Sequence, residues 1–294
     1  MTYRSTLSWT FVVGFAVIVL RGGGVAAQGQ GAEAKTRLAI VGLDHDHVWS
    51  LLEDIAAEPS AQLVAIAESD PLLVSRAQKA VPASVKFYSD YVTMLNEARP
   101  EAVVVATSND RHLEILRQCA KRHIHYSTEK PIATNAKDAR EMERLAQEAN
   151  IKLMVNYWNA WVAPSHALFH RMKVGEVGPV HRITVQYGHQ GPREIGVTPQ
   201  FANWLYDPAK NGGGAIIDFG CYGAELSLWL KGKPSRVYAT TRKIKTEQNN
   251  KDRPRGTDQE YCPTYRACDF LIANLDLRRA GEACQWWRSV RNRA

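Results

Sequence analysis

Short apolar runs alternate with amphipathic stretches from residue 36 to residue 157, with little sequence between them. Arg37 to Val41 is an apolar run ending at Gly42, and Val48 to Ala57 has helical spacing. Gln62 to Ala67 predicts a second strand ending at Glu68, Pro71 to Ala80 a helix, and Val85 to Tyr88 a short third strand. Ala102 to Ala106 is continuously apolar, the composition of a strand covered on both faces of a parallel sheet. The turn Thr107 to Asp110 leads into a helix over Arg111 to Lys121. A strand over His123 to Ser127 is followed by Glu129, Lys130 and Pro131, the proline placed to open the next helix. That helix sets Ala136, Ala139, Met142, Leu145, Ala146 and Ala149 on one face, and Lys152 to Asn156 is one more strand. Such alternation gives right-handed βαβ units, hence an α/β domain with a doubly wound parallel sheet over residues 36–157.

The pattern changes after Tyr157. A helix over Pro164 to Val174, a strand over Val180 to Tyr187, a helix over Ala215 to Leu230 and a strand over Arg236 to Lys243 predict a second, smaller α/β domain within 158–250. A small ligand would sit in the crevice between the two domains. From Lys251 to the end there are eight arginines against one lysine, three of the five cysteines, and no sustained period, so 251–294 is expected to be a disordered or frame-shifted tail. At the other end, a basic start, the apolar run Ser8 to Leu20 and the small residues Val25, Ala26 and Ala27 have the layout of a secretory signal peptide. Residues 1–27 are read as that leader and 1–31 as leader plus linker. The mature chain is then exported, to the periplasm, without a stable membrane span. The formal net charge of +7 falls to +5 without Arg4 and Arg21, and no basic stripe is interleaved with aromatics, which excludes nucleic acid as a partner. The cysteines have neither metal spacing nor the density of a disulfide scaffold.

Candidate chemistry falls at the ends of strands, the rim where open parallel sheets bind ligands. Pro131 disfavours a helical backbone at Lys130, so the lysine is held extended at a strand end, beside Glu129. It could exchange a proton with a substrate hydroxyl. Gly42 to His47 occupies the place of a dinucleotide-binding turn, but Asp44 and His47 stand where the second and third glycines of that motif fall. Glu68, ending the second strand, is placed to accept from the adenosine ribose and to repel a 2′-phosphate, which favours NAD over NADP. His45 and His47, flanked by Asp44 and Asp46, also suit a divalent metal, for which His112, His125 and Asp218 are available as further ligands. The strands are too few for an eight-stranded metal-dependent barrel, and no metal is assigned. After the glycines at 212–214, Asp218, Tyr222 and Glu225 share a helix face among apolar residues, which predicts a buried polar site.

These residues together resemble the glucose–fructose oxidoreductase / inositol dehydrogenase (Gfo/Idh/MocA) family. The matching segments are Arg37 to Gly42, Glu68 to Pro71, Ala106 to His112, Glu129 to Pro131, and Gly212 to Tyr222, within a similarity running from about residue 36 to 245. The resemblance implies a Rossmann domain followed by an α/β domain with an open, mostly antiparallel sheet, incomplete here, that commonly forms homo-oligomers. It implies hydride transfer between NAD(P) and a hydroxyl or carbonyl carbon of a sugar or cyclitol. Lys130 would then be the catalytic lysine and Asp218 the family's acid. Tyr222 stands where the family commonly has histidine, able to pass a proton if Lys130 lowers its pKa. Gly42, Asp44, His45, Glu68, Thr107, Asn109, His112, Glu129 and Lys130 would contact the cofactor, and Asn159, Trp204 and Glu225 the substrate. A glycoside hydrolase using NAD transiently and a sugar-binding protein without turnover are the alternatives.

Overall fold

The computed structural model describes residues 34–188 and 191–240. The expected leader and the tail beyond 251 lie outside the described residues. Six strands form one parallel sheet: β1 (Thr36–Val41), β2 (Ala61–Ala67), β3 (Lys86–Tyr88), β4 (Ala102–Val105), β5 (His125–Glu129) and β6 (Leu153–Asn156). Their order is β3-β2-β1-β4-β5-β6, with every pairing parallel. Helices α1 (Val48–Ala57), α2 (Pro71–Gln78), α3 (Tyr91–Ala98), α4 (His112–Ala120) and α5 (Ala136–Glu148) connect them. The pleat explains the unbroken apolar strands. Leu38 and Ile40 of β1 pack under Leu51, Leu52 and Ile55 on one face, while Ala39 and Val41 join Met94, Leu116 and Met142 on the other. The chain order reverses between β1 and β4, so the crevice beyond their carboxyl ends is the topological switch point.

Helix starts are set by short polar caps. Asp70 accepts from Leu72 N (2.8 Å) ahead of α2, and Asp90 accepts from Thr93 N (2.7 Å) ahead of α3, which the apolar pattern did not reveal. Pro131 does not open α5. That helix starts five residues later, where the Asn135 side chain accepts from Asp138 N at 2.9 Å.

Beyond β6 come α6 (Trp158–Trp161), α7 (Ala163–Lys173), α8 (Pro199–Leu205), α9 (Pro208–Asn211) and α10 (Cys221–Lys231). The expected second sheet is not formed among the described residues. The runs at 180–188 and 236–240 carry no ladder, because an extended segment becomes a strand only when a neighbour pairs with its backbone. Helix α10 continues directly from a π-helical turn over Ile216–Gly220, so the predicted helix over 215–230 is formed, widened around Asp218. No helix among the described residues is long and apolar enough to cross a membrane.

Candidate active site at the carboxyl rim of the sheet

The turn after β1 is built around Gly42. Its φ is +81°, and a Cβ there would lie 2.3 Å from Thr107 Cγ2 and 3.0 Å from the Ala106 carbonyl. Only glycine lets the turns after β1 and β4 approach so closely. Glu68 braces the same turn from the end of β2: it accepts from Leu43 N (2.7 Å), Ser69 N (2.7 Å) and Asp70 N (2.8 Å). Asp44 projects beside it. Burial first, then the Glu68 charge, push the Asp44 carboxyl up to about 7, and its Oδ1 has no partner among the described residues. The first turn of α1 has neither an acidic residue nor a side-chain cap. Its first amides turn back on the preceding loop, Val48 N to the His45 carbonyl at 2.9 Å and Trp49 N to the Asp46 carbonyl at 3.3 Å, so what the helix end offers an anionic diphosphate is its dipole, beside the glycine turn.

Glu129 ends β5 and is buried. Asn156, from the end of β6, donates to its Oε1 at 2.7 Å, and His47 Nδ1 lies 3.0 Å from its Oε2. Burial alone would raise the Glu129 carboxyl, but the His47 ring and the Asn156 amide outweigh it and hold it below the usual carboxylate range. His45 is fully buried and its pKa is pushed well down, so it stands neutral, and the bonds from His47 and Asn156 are what hold Glu129 ionised. Ligand-capable atoms of His45, His47 and Glu129 lie within 4.8 Å of one another. However, His45 Nδ1 faces the His47 amide at 3.3 Å, which puts the ring proton on Nε2, toward Glu129 at 4.0 Å. A metal-bound imidazole has the reverse arrangement, donating from its free nitrogen. Of the further ligands expected for a metal, His125 lies at the amino end of β5, where its Nδ1 accepts from Lys152 N, and Asp218 is engaged by Lys130.

Lys130 follows Glu129 and is 4% exposed. Its ammonium donates to the Asp218 carboxylate and, at 3.0 Å, to the Asp218 carbonyl. The π turn lets both acceptors of one residue face the same cation. The ammonium also lies over the rings of Tyr222 (5.1 Å) and Phe219 (5.6 Å). Contact with the ring face leaves the Tyr222 hydroxyl unassisted: burial raises its pKa well above the usual phenol value, so the expectation that Lys130 lowers it is corrected. Glu225 does not share this contact. It lies near Tyr157, burial raises its carboxyl to about 7, and its Oε2, like Asn159 Oδ1, is buried without a partner among the described residues.

Other expected contacts are redirected inward. Thr107 is fully buried and donates to the Ser108 carbonyl, Asn109 donates to the Asn211 carbonyl (2.9 Å), and the His112 nitrogens face the Ile132 (3.1 Å) and Thr107 (3.4 Å) carbonyls. Thr107 and His112 thus brace the rim, while Asn109 keeps a buried Oδ1 without a partner among the described residues. Trp204, expected at the substrate, lies against the β1–α1 turn, its indole donating to the Asp44 carbonyl at 3.0 Å. The sequence pattern missed Asn156, which only the β5–β6 register places beside Glu129, and Asp46 and Thr198, whose pairing spans 152 residues.

Two family models match the chain, "Oxidoreductase family, NAD-binding Rossmann fold" over residues 36–157 and "GFO/IDH/MocA C-terminal domain" over residues 166–276. The second match runs past residue 251, where the sequence pattern changes. Among curated relatives, D-xylose 1-dehydrogenase (NADP(+)) 2 of Haloferax volcanii is 28% identical over 52% of this chain and 45% of its own length. The rhizopine catabolism protein MocA of Rhizobium meliloti is 25% identical over 64% of this chain and 56% of its own. The chain therefore spans about half the length of the curated relatives it matches. The crystal structure of the WlbA dehydrogenase from Bordetella pertussis, in complex with NADH and UDP-GlcNAcA, superposes with a TM-score of 0.63 at 26% identity, over 71% of this chain and 59% of that one. With the glycine turn, the acid after β2, the buried Glu129-Lys130 pair and both domain matches in agreement, the chain belongs to the Gfo/Idh/MocA family of oxidoreductases, whose first domain is an NAD-binding Rossmann fold.

Proposed function

We propose that this chain is an NAD-dependent oxidoreductase that transfers a hydride between the nicotinamide and a hydroxyl or carbonyl carbon of a sugar or cyclitol. The observation that carries it is the buried Lys130 ammonium, held on Asp218 at the sheet rim next to Glu129. The rim fits the dinucleotide: the Gly42 approach, the dipole of α1 and the Asp44 carboxyl, which can donate while it keeps its proton, would receive the diphosphate, and Glu68 the adenosine ribose. The negative charge of Glu68 favours NAD over its 2′-phosphorylated form. When bound, NAD supplies the hydride acceptor or donor. Lys130 donates a hydrogen bond to the substrate oxygen and passes it a proton in the reductive direction, and Asp218 fixes the ammonium and takes up the change in charge. Tyr222 and Phe219 cover the ammonium and keep water from it. Asn159 and Glu225, each with an unpartnered buried oxygen, are the groups left to meet substrate hydroxyls. The sugar-like substrate class is supported by the D-xylose dehydrogenase among the relatives. Export by the leader at 1–27 and assembly into a homo-oligomer belong to the same proposal.

The test is nicotinamide absorbance of the purified chain with NAD and a panel of aldoses, glycosides and cyclitols. Net reduction of NAD by one of them is expected. Glycoside cleavage without net reduction would replace the dehydrogenase with a transient-redox hydrolase. Sugar binding with no affinity for NAD would leave a binding protein.

A further inference from the structure

We propose that Asp46 and Thr198 form a clamp that sets the affinity for the dinucleotide, with helix α8 holding the β1–α1 turn in its binding shape. The proposal rests on the NAD reading above and adds positioning residues to it. The turn from Gly42 to His47 carries an aspartate and a histidine where a dinucleotide turn has its second and third glycines. Their side chains must be accommodated in a turn that glycines would enter freely.

The structure fixes it from outside. Thr198 donates to Asp46 twice, from its amide to Oδ2 at 2.6 Å and from its hydroxyl to Oδ1 at 2.7 Å. Trp204, two turns along α8, donates to the Asp44 carbonyl at 3.0 Å. Between these anchors the His45 ring packs on Phe201 (4.3 Å between centroids) and Trp204 (5.6 Å). Further along the rim, Gln200 donates to Asp70 Oδ2 at 3.2 Å. All these contacts come from residues 198–204, and most end on the three consecutive residues Asp44, His45 and Asp46. The Thr198 hydroxyl also accepts from Phe201 N at 3.3 Å, so one residue both caps α8 and grips the turn. A turn held before the ligand arrives loses less freedom on binding, and releasing it transfers that ordering cost to the binding step.

The experiment is calorimetric titration of NAD into the full chain and its variants. Asp46→Ala, which removes both hydrogen bonds, is expected to weaken binding about 10-fold, Thr198→Val, which keeps the amide donor, about threefold, and Thr198→Ser, which keeps both donors, to stay within about twofold. The double variant should bind no more weakly than Asp46→Ala, which already removes both hydrogen bonds from Thr198. In turnover assays of Asp46→Ala the KM for NAD should rise about 10-fold while kcat stays within about twofold. Asp46→Ala leaves Thr198 free to cap α8 through Phe201 N, so it serves even if Thr198→Val folds poorly. Unchanged affinity in Asp46→Ala, or losses that add in the double variant, would overturn the clamp and leave the NAD reading standing. An unaltered chain that does not bind NAD would remove both.

Discussion

The Lys130 ammonium donates to both the carboxylate and the backbone carbonyl of Asp218, across 88 residues of sequence. The pair joins the end of β5 to the π turn before α10, so proton chemistry and the second half of the chain depend on each other. Asp218→Asn should keep NAD binding and lower kcat by about 10²–10⁴-fold, the usual weight of a positioned proton-transfer group. Lys130→Met should do the same and also destabilise the fold by roughly 1–3 kcal/mol, because it leaves the part-buried Asp218 carboxylate unpaired. Denaturant melts alongside steady-state rates separate the two effects. Asp218→Asn with unaltered kcat would remove the pair from the chemistry.

Tyr222→Phe is expected to keep kcat within about threefold, well short of the 10²-fold or more that follows loss of a proton-transfer group. Burial holds the hydroxyl protonated, and Lys130 meets the ring rather than the oxygen. A larger loss with an intact ring would return Tyr222 to the proton path.

Asp44 keeps its proton to about pH 7 in the folded chain, where an ordinary aspartate loses it near pH 4. As pH rises from about 4 to 7 the unfolded chain releases this proton and the folded chain does not, so stability is fully present below that window and falls through it. The loss is on the order of a few kcal/mol at most, at roughly 1.4 per pKa unit. Above about pH 7 the new anion lies beside Glu68 and opposes a diphosphate, so the KM for NAD should rise there. Asp44→Asn should flatten both profiles, measured by denaturant melts and by initial rates across pH. Glu225, raised to about 7 by burial, has the same sign, and Glu225→Gln is the control that separates its share.

Gly42→Ala should destabilise the first domain by roughly 1–3 kcal/mol and abolish NAD binding, since both a positive φ and two close contacts oppose a Cβ. Thr107→Ser in the same chain removes the closest clash at Cγ2 but leaves the Ala106 carbonyl and the strained φ. It should therefore restore only part of the stability. Full recovery in thermal melts would show that the side-chain clash alone requires glycine.

The strands of the first domain and most of its helices were legible because a parallel sheet covered on both faces demands unbroken apolar runs, and Ala102 to Val105 has no other plausible place. Helix α3 was hidden: it is eight residues long and announced mainly by the Asp90 cap. The predicted outer strand from Val180 to Tyr187 shows the limit of alternation, while the one from Arg236 to Lys243 lies partly outside the described residues. A period of two describes a ribbon that could pair, and pairing depends on a neighbour elsewhere in the chain.

Sequence by itself determined the sheet, the glycine turn, the acid after β2 and the lysine at the rim, since each follows from local rules about strands, φ and prolines. Tertiary structure decided what those groups do. Burial set Asp44 and Glu225 near neutrality and kept Tyr222 protonated, the β5–β6 register placed Asn156 on Glu129, and α8 brought Thr198 and Trp204 onto the turn. Desolvation and hydrogen bonds between residues distant in sequence govern these outcomes, and neither is encoded in the spacing of residue types along one segment.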